Sequence, residues 1–204
     1  MLVGIAILGS ILVFAGRLAI LRAAGWMLTA EDPLRPAEAI VIAVDAGDAG
    51  VLEAADLVRD GFSRNVVLFG DLPEEAEREF GRRGIPYDNQ VTRQTQELRA
   101  LGVEHIEQIP RTVDGTEDEG RILPAWSEEH KLRSVIVVSS TDHTRRLRRV
   151  MRRGMRGRQT VVIVRPSRYS DFDPDRWWLK RGGIRTQIVE LEKLLFDVVR
   201  HPFS

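Results

Sequence analysis

Residues 134–153 read SVIVVSSTDHTRRLRRVMRR, and the fold follows from this stretch. An apolar run opens at Ser134 and ends in Ser139-Ser140-Thr141-Asp142-His143, where helical spacing begins at once. A strand buried on both faces and feeding straight into a helix has this form. In open parallel sheets, ligands are held at such carboxyl-terminal strand ends. Ser140 or Thr141 is placed to cap the helix. Free backbone N–H groups and the positive end of the helix dipole would then lie beside His143, suiting a phosphate or carboxylate and biasing the imidazole towards its neutral form.

The rest of the chain repeats the pattern. Ala39–Val44 is apolar without alternation and ends in the turn Asp45-Ala46-Gly47-Asp48-Ala49-Gly50, before a helix over Val51–Asp60. Asn65–Phe69 is a second strand, closing at Gly70-Asp71, and a helix over Glu74–Arg83 follows, acidic first and basic last as the dipole prefers. Asn89–Leu101 has weak helical spacing, and Glu104–Pro110 is a poor third strand. Thr116 with Glu119 has the spacing of a capping box, opening a helix to about His130. Thr160–Val164 is the last strand, and Ile184–Val199 the last helix, with Ile188, Leu191, Leu195 and Val198 on its apolar face. Five strands alternating with helices predict a three-layer α/β/α, Rossmann-like fold with a mostly parallel five-stranded sheet. The strand ends would then gather Asp45, Asp48, Asp71, Thr116, Glu119, Ser140, Asp142, His143 and Ser167 around one mouth.

The chain has 204 residues, enough for one domain with a sizeable core. Its 30 basic residues balance 30 acidic ones, so the whole molecule carries no polyanion-binding signature. Cysteine is absent, which excludes disulfides, thiolate nucleophiles and cysteine-based zinc sites. The eight arginines of Arg145–Arg158 surround a core-facing stripe of Leu147, Val150 and Met151, so they read as a solvated face and nucleic acid is not an expected partner.

Residues 2–16, LVGIAILGSILVFAG, are uncharged, and apolar character resumes after Arg17 and Arg22 as far as Trp26. Fifteen residues make about 22 Å of helix against a hydrocarbon core of roughly 30 Å, so a span must continue past Arg17. Residues 1–28 are therefore expected to form an N-terminal transmembrane anchor, 29–37 a proline-bearing linker and 38–204 the α/β domain. Arg17 and Arg22 favour a cytoplasmic domain by the positive-inside rule. Trp177-Trp178 suits an interfacial anchor, a lid over the mouth, or plain cover for the sheet end.

Several motifs in order (PAEAIVIAV, a strand ending in Gly-Asp before an acidic helix, GTEDEGRIL, the Ser139–Arg146 block and a WW pair before an ELEKLL helix) resemble the bacterial YdcF/SanA/ElyC-like family over about Pro36–Val199. The block resembles the family's Thr-Ser-x-x-His-x-x-Arg element, placing its His on His143 and its Arg on Arg146 or Arg145. Gly115–Glu119 resembles its Thr-x-Glu element. The family's glycine-rich turns are here carboxylate-lined, at Val44-Asp45-Ala46-Gly47 and Phe69-Gly70-Asp71. The resemblance implies a single-pass inner-membrane protein of cell-envelope biogenesis, near peptidoglycan or undecaprenyl-lipid metabolism, with an extracytoplasmic domain.

Two functions fit these residues. In an enzyme acting on a phosphorylated or lipid-linked small molecule, His143 is general acid/base and Asp142 or Glu119 orients it. Asp45, Gly47, Asp48, Gly70, Asp71, Thr116, Ser139, Ser140, Thr141, Arg145 and Arg146 would surround the ligand. Alternatively the same mouth serves a non-catalytic binding or regulatory module. No motif specifies a cofactor, since GxGxxG and a P-loop lysine are both absent. Asp45, Asp48, Asp71 and His143 would suit magnesium or manganese, but acids after strands more commonly cap turns, and no metal is assigned.

Overall fold

The computed structural model describes residues 16–73 and 75–204, and of Asp71 the backbone alone. Helix α1 covers 16–26 of these. Then follow β1 (Ala39–Ile42), a 3₁₀ turn (Val44–Ala46), α2 (Gly47–Arg59), β2 (Asn65–Asp71), α3 (Glu75–Arg82), α4 (Gln90–Ala100) and β3 (His105–Val113). The second half holds α5 (Thr116–Glu129), β4 (Ser134–Ser139), α6 (Thr144–Gly154), β5 (Val161–Pro166), a 3₁₀ turn (Trp177–Leu179) and α7 (Arg181–Arg200).

The strands form one parallel sheet in the order β3-β2-β1-β4-β5. The chain winds outward from β1 to β3, then crosses back to β4 and β5, so its direction of winding reverses between β1 and β4. Right-handed crossovers thereby put α2 and α4 on one face and α5 and α6 on the other. Ile40, Ile42, Ile136 and Val138 meet the first pair, and Val41, Val135 and Val137 the second. Burial on both faces accounts for the unalternating apolar runs, each such side chain contributing about 1.5–3 kcal/mol. The parallel three-layer arrangement is as expected from the sequence. β3 runs three residues further than its pattern indicated, past Pro110, which is tolerated because β3 is an edge strand.

Three expectations are corrected. Ile188 (61 % exposed) and Leu195 (54 % exposed) face outward, whereas α7 buries Gln187, Glu190, Leu194 and Asp197. The reason is α6: Arg146 pairs with Glu190, and Arg149 and Arg153 with Asp197, so ion pairs rather than apolar periodicity set the rotation of α7. Second, Thr29–Ala37 is not a free linker. Asp32 takes part in a backbone pair with Val164, accepts from the Val164 N–H through its side chain and pairs with Arg148, while Leu28 is buried with Phe172 and Leu194. Third, of the anchor, lid and cover left open for the tryptophan pair, Trp177 is found against α1. Its Nε1 donates to the Leu21 carbonyl (2.8 Å), holding α1 against the turn before α7. Among the described residues no helix is long and apolar enough to cross a membrane. Most of the expected anchor, residues 1–15, lies outside the described residues.

Helices α5 and α6 touch backbone to backbone. A Cβ on Gly154 would stand 1.9 Å from the Gly120 carbonyl oxygen, one on Gly120 2.3 Å from the Val150 side chain, and Pro124 packs at the same crossing. Gly154→Ala is therefore expected to lower stability by about 3 kcal/mol or more in urea unfolding, the two helices being forced apart. Gly81→Ala, in α3 with nothing within 4 Å of the added carbon, should instead be neutral or stabilising by up to about 1 kcal/mol.

Candidate functional site

β1 and β4 end side by side at the point where the winding reverses, the usual ligand crevice of such sheets. From β1, the 3₁₀ turn delivers Asp45, and Gly47 then adopts φ 51°, a left-handed value that favours glycine, to open α2. From β4 come Ser139 and Ser140. Both hydroxyls donate to Asp45 Oδ2, at 3.1 and 2.6 Å, so the carboxylate bridges the two strand ends. A cavity of about 820 Å³ opens outward from them, walled by Asp45, Asp48, Ser140, Asp142, Asp171 and Lys180 among others.

Beneath Asp45 lies His143, 3 % exposed. Its Nδ1 is 3.0 Å from Glu190 Oε2, and its Nε2 is 2.9 Å from Thr116 Oγ1 and 3.9 Å from Asp45 Oδ1. Arg146 Nη2 lies 2.8 Å from the same Nδ1 and 3.3 Å from the same Glu190 oxygen, while Nη1 donates to Thr116 (3.0 Å). A guanidinium N–H and an Nδ1–H cannot donate to each other, so Glu190 is their common acceptor. Lys193 donates to its other oxygen (2.6 Å).

The charges follow from this packing. Burial pushes the Glu190 carboxyl up, but the hydrogen bond and charge of His143, with Lys193 and Arg146, bring it down to about 2. For His143, burial opposes the charged form, and Asp45 together with Glu190 outweighs it, so the pKa is raised. The neutral imidazole expected from the helix dipole is thereby corrected: two carboxylates act at closer range than the dipole. Glu119, 1 % exposed, is pushed up to about 7 by burial and by Asp45, against the Val44 N–H that donates to its Oε1 (2.8 Å). Asp142 is raised, chiefly by burial.

Several predicted roles change. The residue that orients His143 is Glu190, not Asp142 or Glu119; it lies 47 residues away on α7, with no signal beyond an acidic position in an apolar helix. The α6 N-terminus is not open to an anion. Ser140 spends its hydroxyl on Asp45, Thr141 donates to the Ser167 carbonyl, and the Arg145 N–H donates to Leu28. Arg145 itself holds the Thr29 and Trp26 carbonyls and takes no part in the mouth. The Thr116–Glu119 capping box does not form; Gly115 precedes the helix, Thr116 faces His143 and Glu119 faces Val44. Gly70 lies against Gln108, whose amide would be 2.9 Å from an added Cβ, and the Asp71 side chain lies outside the described residues. Ser167 donates to the Ala49 carbonyl and is structural. Asp45, Asp48, Ser139, Ser140, Asp142, Thr116, Glu119, His143 and Arg146 are brought together.

No family model matches the chain, and no curated protein matches it. Among solved structures, HcgE of Methanothermobacter marburgensis, bound to guanylylpyridinol and ATP, is similar over 66 % of this chain at 14 % identity and a TM-score of 0.36. This chain spans 62 % of the length of that protein. A likeness of that size carries no argument about the site.

The Glu190–His143 pair makes stability pH-dependent. Glu190 sits below its ordinary value of 4.5, so its contribution is complete above about pH 4.5 and is lost as pH falls towards 2. His143 is raised above 6.5, so its contribution is complete below that pH and is lost as pH rises through the higher folded value. Glu190→Gln should reduce the acid-side loss, leaving the share of Asp197 and Asp56, and should lower the His143 pKa, read from imidazole NMR shifts against pH.

Proposed function

We propose that this chain is a membrane-anchored protein of the bacterial cell envelope, of the YdcF/SanA/ElyC-like kind. In this reading it binds a phosphorylated or nucleotide-like small molecule where β1 and β4 end and acts on it through His143. The anchor is the N-terminal run 1–28, whose last turns meet the α/β domain at Leu21 and Ala24, and that domain carries the chemistry. What supports the reading is the Glu190–His143–Thr116 chain beside Asp45 at the winding reversal. Glu190 holds Nδ1–H, which leaves Nε2 as the reactive atom. A charged His143 donates the Nε2 proton to a leaving oxygen, and the neutral form takes one from an attacking hydroxyl or water. Arg146 keeps Glu190 ionised and Thr116 in place, and so acts as a positioning residue. The acidic wall sets a condition on the ligand: a phosphate beside Asp45 and Asp48 arrives with its charge compensated.

A binding module would use the same mouth without turnover, and one comparison separates the two. The full-length chain in a mild detergent is screened by thermal shift against nucleotides and undecaprenyl phosphate analogues, and compounds that raise the melting temperature are assayed for conversion. With divalent cations chelated, so that Nε2 is free to carry a proton, His143→Gln is expected to slow conversion at least about 100-fold while changing ligand affinity by less than about threefold. Binding without conversion by the parent chain would favour the module, and no shift from any phosphorylated compound would overturn both.

A further inference from the structure

Asp45 and Glu119 stand apart from the other acids around the site. Glu190 is matched by Arg146 and Lys193, whereas neither Asp45 nor Glu119 forms an ion pair with lysine or arginine among the described residues. Yet Glu119 is 1 % exposed, and the Val44 N–H holds its Oε1. One oxygen of each carboxylate and one nitrogen of His143 lie within 4.8 Å of one another. Asp45 has His143 as its cationic neighbour (3.9 Å), and two carboxylates with an imidazole nitrogen around a common point, one of the carboxylates buried, are donor types that a divalent cation takes.

We propose that Asp45, Glu119 and Nε2 of His143 bind a divalent cation at the winding reversal. Each donor is already aimed by a partner of its own, as metal ligands are. Glu190 accepts the Nδ1–H of His143 and leaves Nε2 beside Thr116 (2.9 Å) and Asp45 (3.9 Å). Ser139 and Ser140 hold Asp45, and the Val44 N–H holds Glu119. Metal–donor bonds of about 2.1 Å put neighbouring donors about 3.0–3.4 Å apart, so the trio, now within 4.8 Å, draws in by up to roughly 1.5 Å on binding. Thr116 gives up its contact with Nε2 and keeps Arg146. Two carboxylates with one imidazole suit a first-row ion such as manganese better than zinc held by thiolates or calcium held by oxygen alone. Asp45 is the member of the trio that reaches the cavity wall, where Asp48 and Asp142 draw cations inward.

The inference deepens the proposed function and rests on it in one respect, that this mouth is the ligand site. A cation there compensates the acidic wall and gives a phosphate its counter-charge. Nε2 cannot hold a proton and a cation together, so cation binding replaces proton donation from that atom.

The test is a Mn²⁺ titration of the full-length chain in detergent, without any phosphorylated compound, followed by electron paramagnetic resonance of the free ion. One Mn²⁺ per chain is expected. Glu119→Gln, Asp45→Asn and His143→Gln should each weaken it at least about 100-fold with unchanged circular dichroism, and Ser140→Ala about tenfold. Asp48→Asn, on the wall but outside the trio, should change affinity less than about threefold. Asp45→Asn keeps the test decisive if a buried variant fails to fold, because Asp45 is partly exposed. No binding by about 1 mM Mn²⁺, or binding that only Asp48→Asn removes, overturns the proposal. A ligand-induced thermal shift that survives such a negative result leaves the proposed function standing, and a cation site without any ligand shift does the reverse.

Discussion

Glu190 is the residue on which this arrangement depends. It sits on the buried face of α7, takes the Nδ1–H of His143 and shares its carboxylate between Arg146 and Lys193. A buried carboxylate is costly unless every oxygen is answered, and here each one is. Because Arg146 comes from α6 and His143 from its N-terminal cap, the contact fixes how α7 lies on α6 and, with it, the imidazole. Fold and candidate chemistry therefore share one interaction. Asp197 repeats the device two turns further on with Arg149 and Arg153.

The same interface explains the arginine-rich α6. Of its apolar stripe, Leu147 and Met151 pack under the sheet and Val150 packs against Gly120 of α5. Other arginines turn to acids within the chain: Arg148 to Asp32, Arg158 to Glu128, Arg153 to Glu117. A zero net charge accordingly reflects local pairing across the fold and not only a global balance. A further ion-pair network ties α2 to the segment after β5, where Glu53 accepts from Arg165 and Arg168, and Asp56 from Arg168 and Tyr169. That clamp steadies one wall of the cavity, since Tyr169 lines it.

The outward face of α7 is the counterpart of its ionic inner face. Ile188, Leu195, Phe196 and Val199 are exposed along one helix that sits beside α1 through Gln187 and the Ala24 carbonyl. A helix whose buried side must satisfy cations has no choice but to turn its apolar residues away.

The sequence by itself determined the layers. Unalternating apolar runs at Ala39, Asn65, Ser134 and Thr160, each closed by small or acidic residues and followed by helical spacing, specify buried parallel strands, because only burial on both faces permits such runs. Chain order then brought Asp45, Ser139, Ser140 and His143 to one end of the sheet. What only the tertiary structure decided is which groups answer one another. Glu190 is paired to His143 across 47 residues, Glu119 turns to Val44 instead of capping its own helix, and Arg145 turns to Thr29 instead of the mouth. Local spacing encodes hydrogen bonds within a turn of helix. Burial favours whichever partner lies nearest in space, and for a charged group in a low-dielectric interior that contact outweighs the local one.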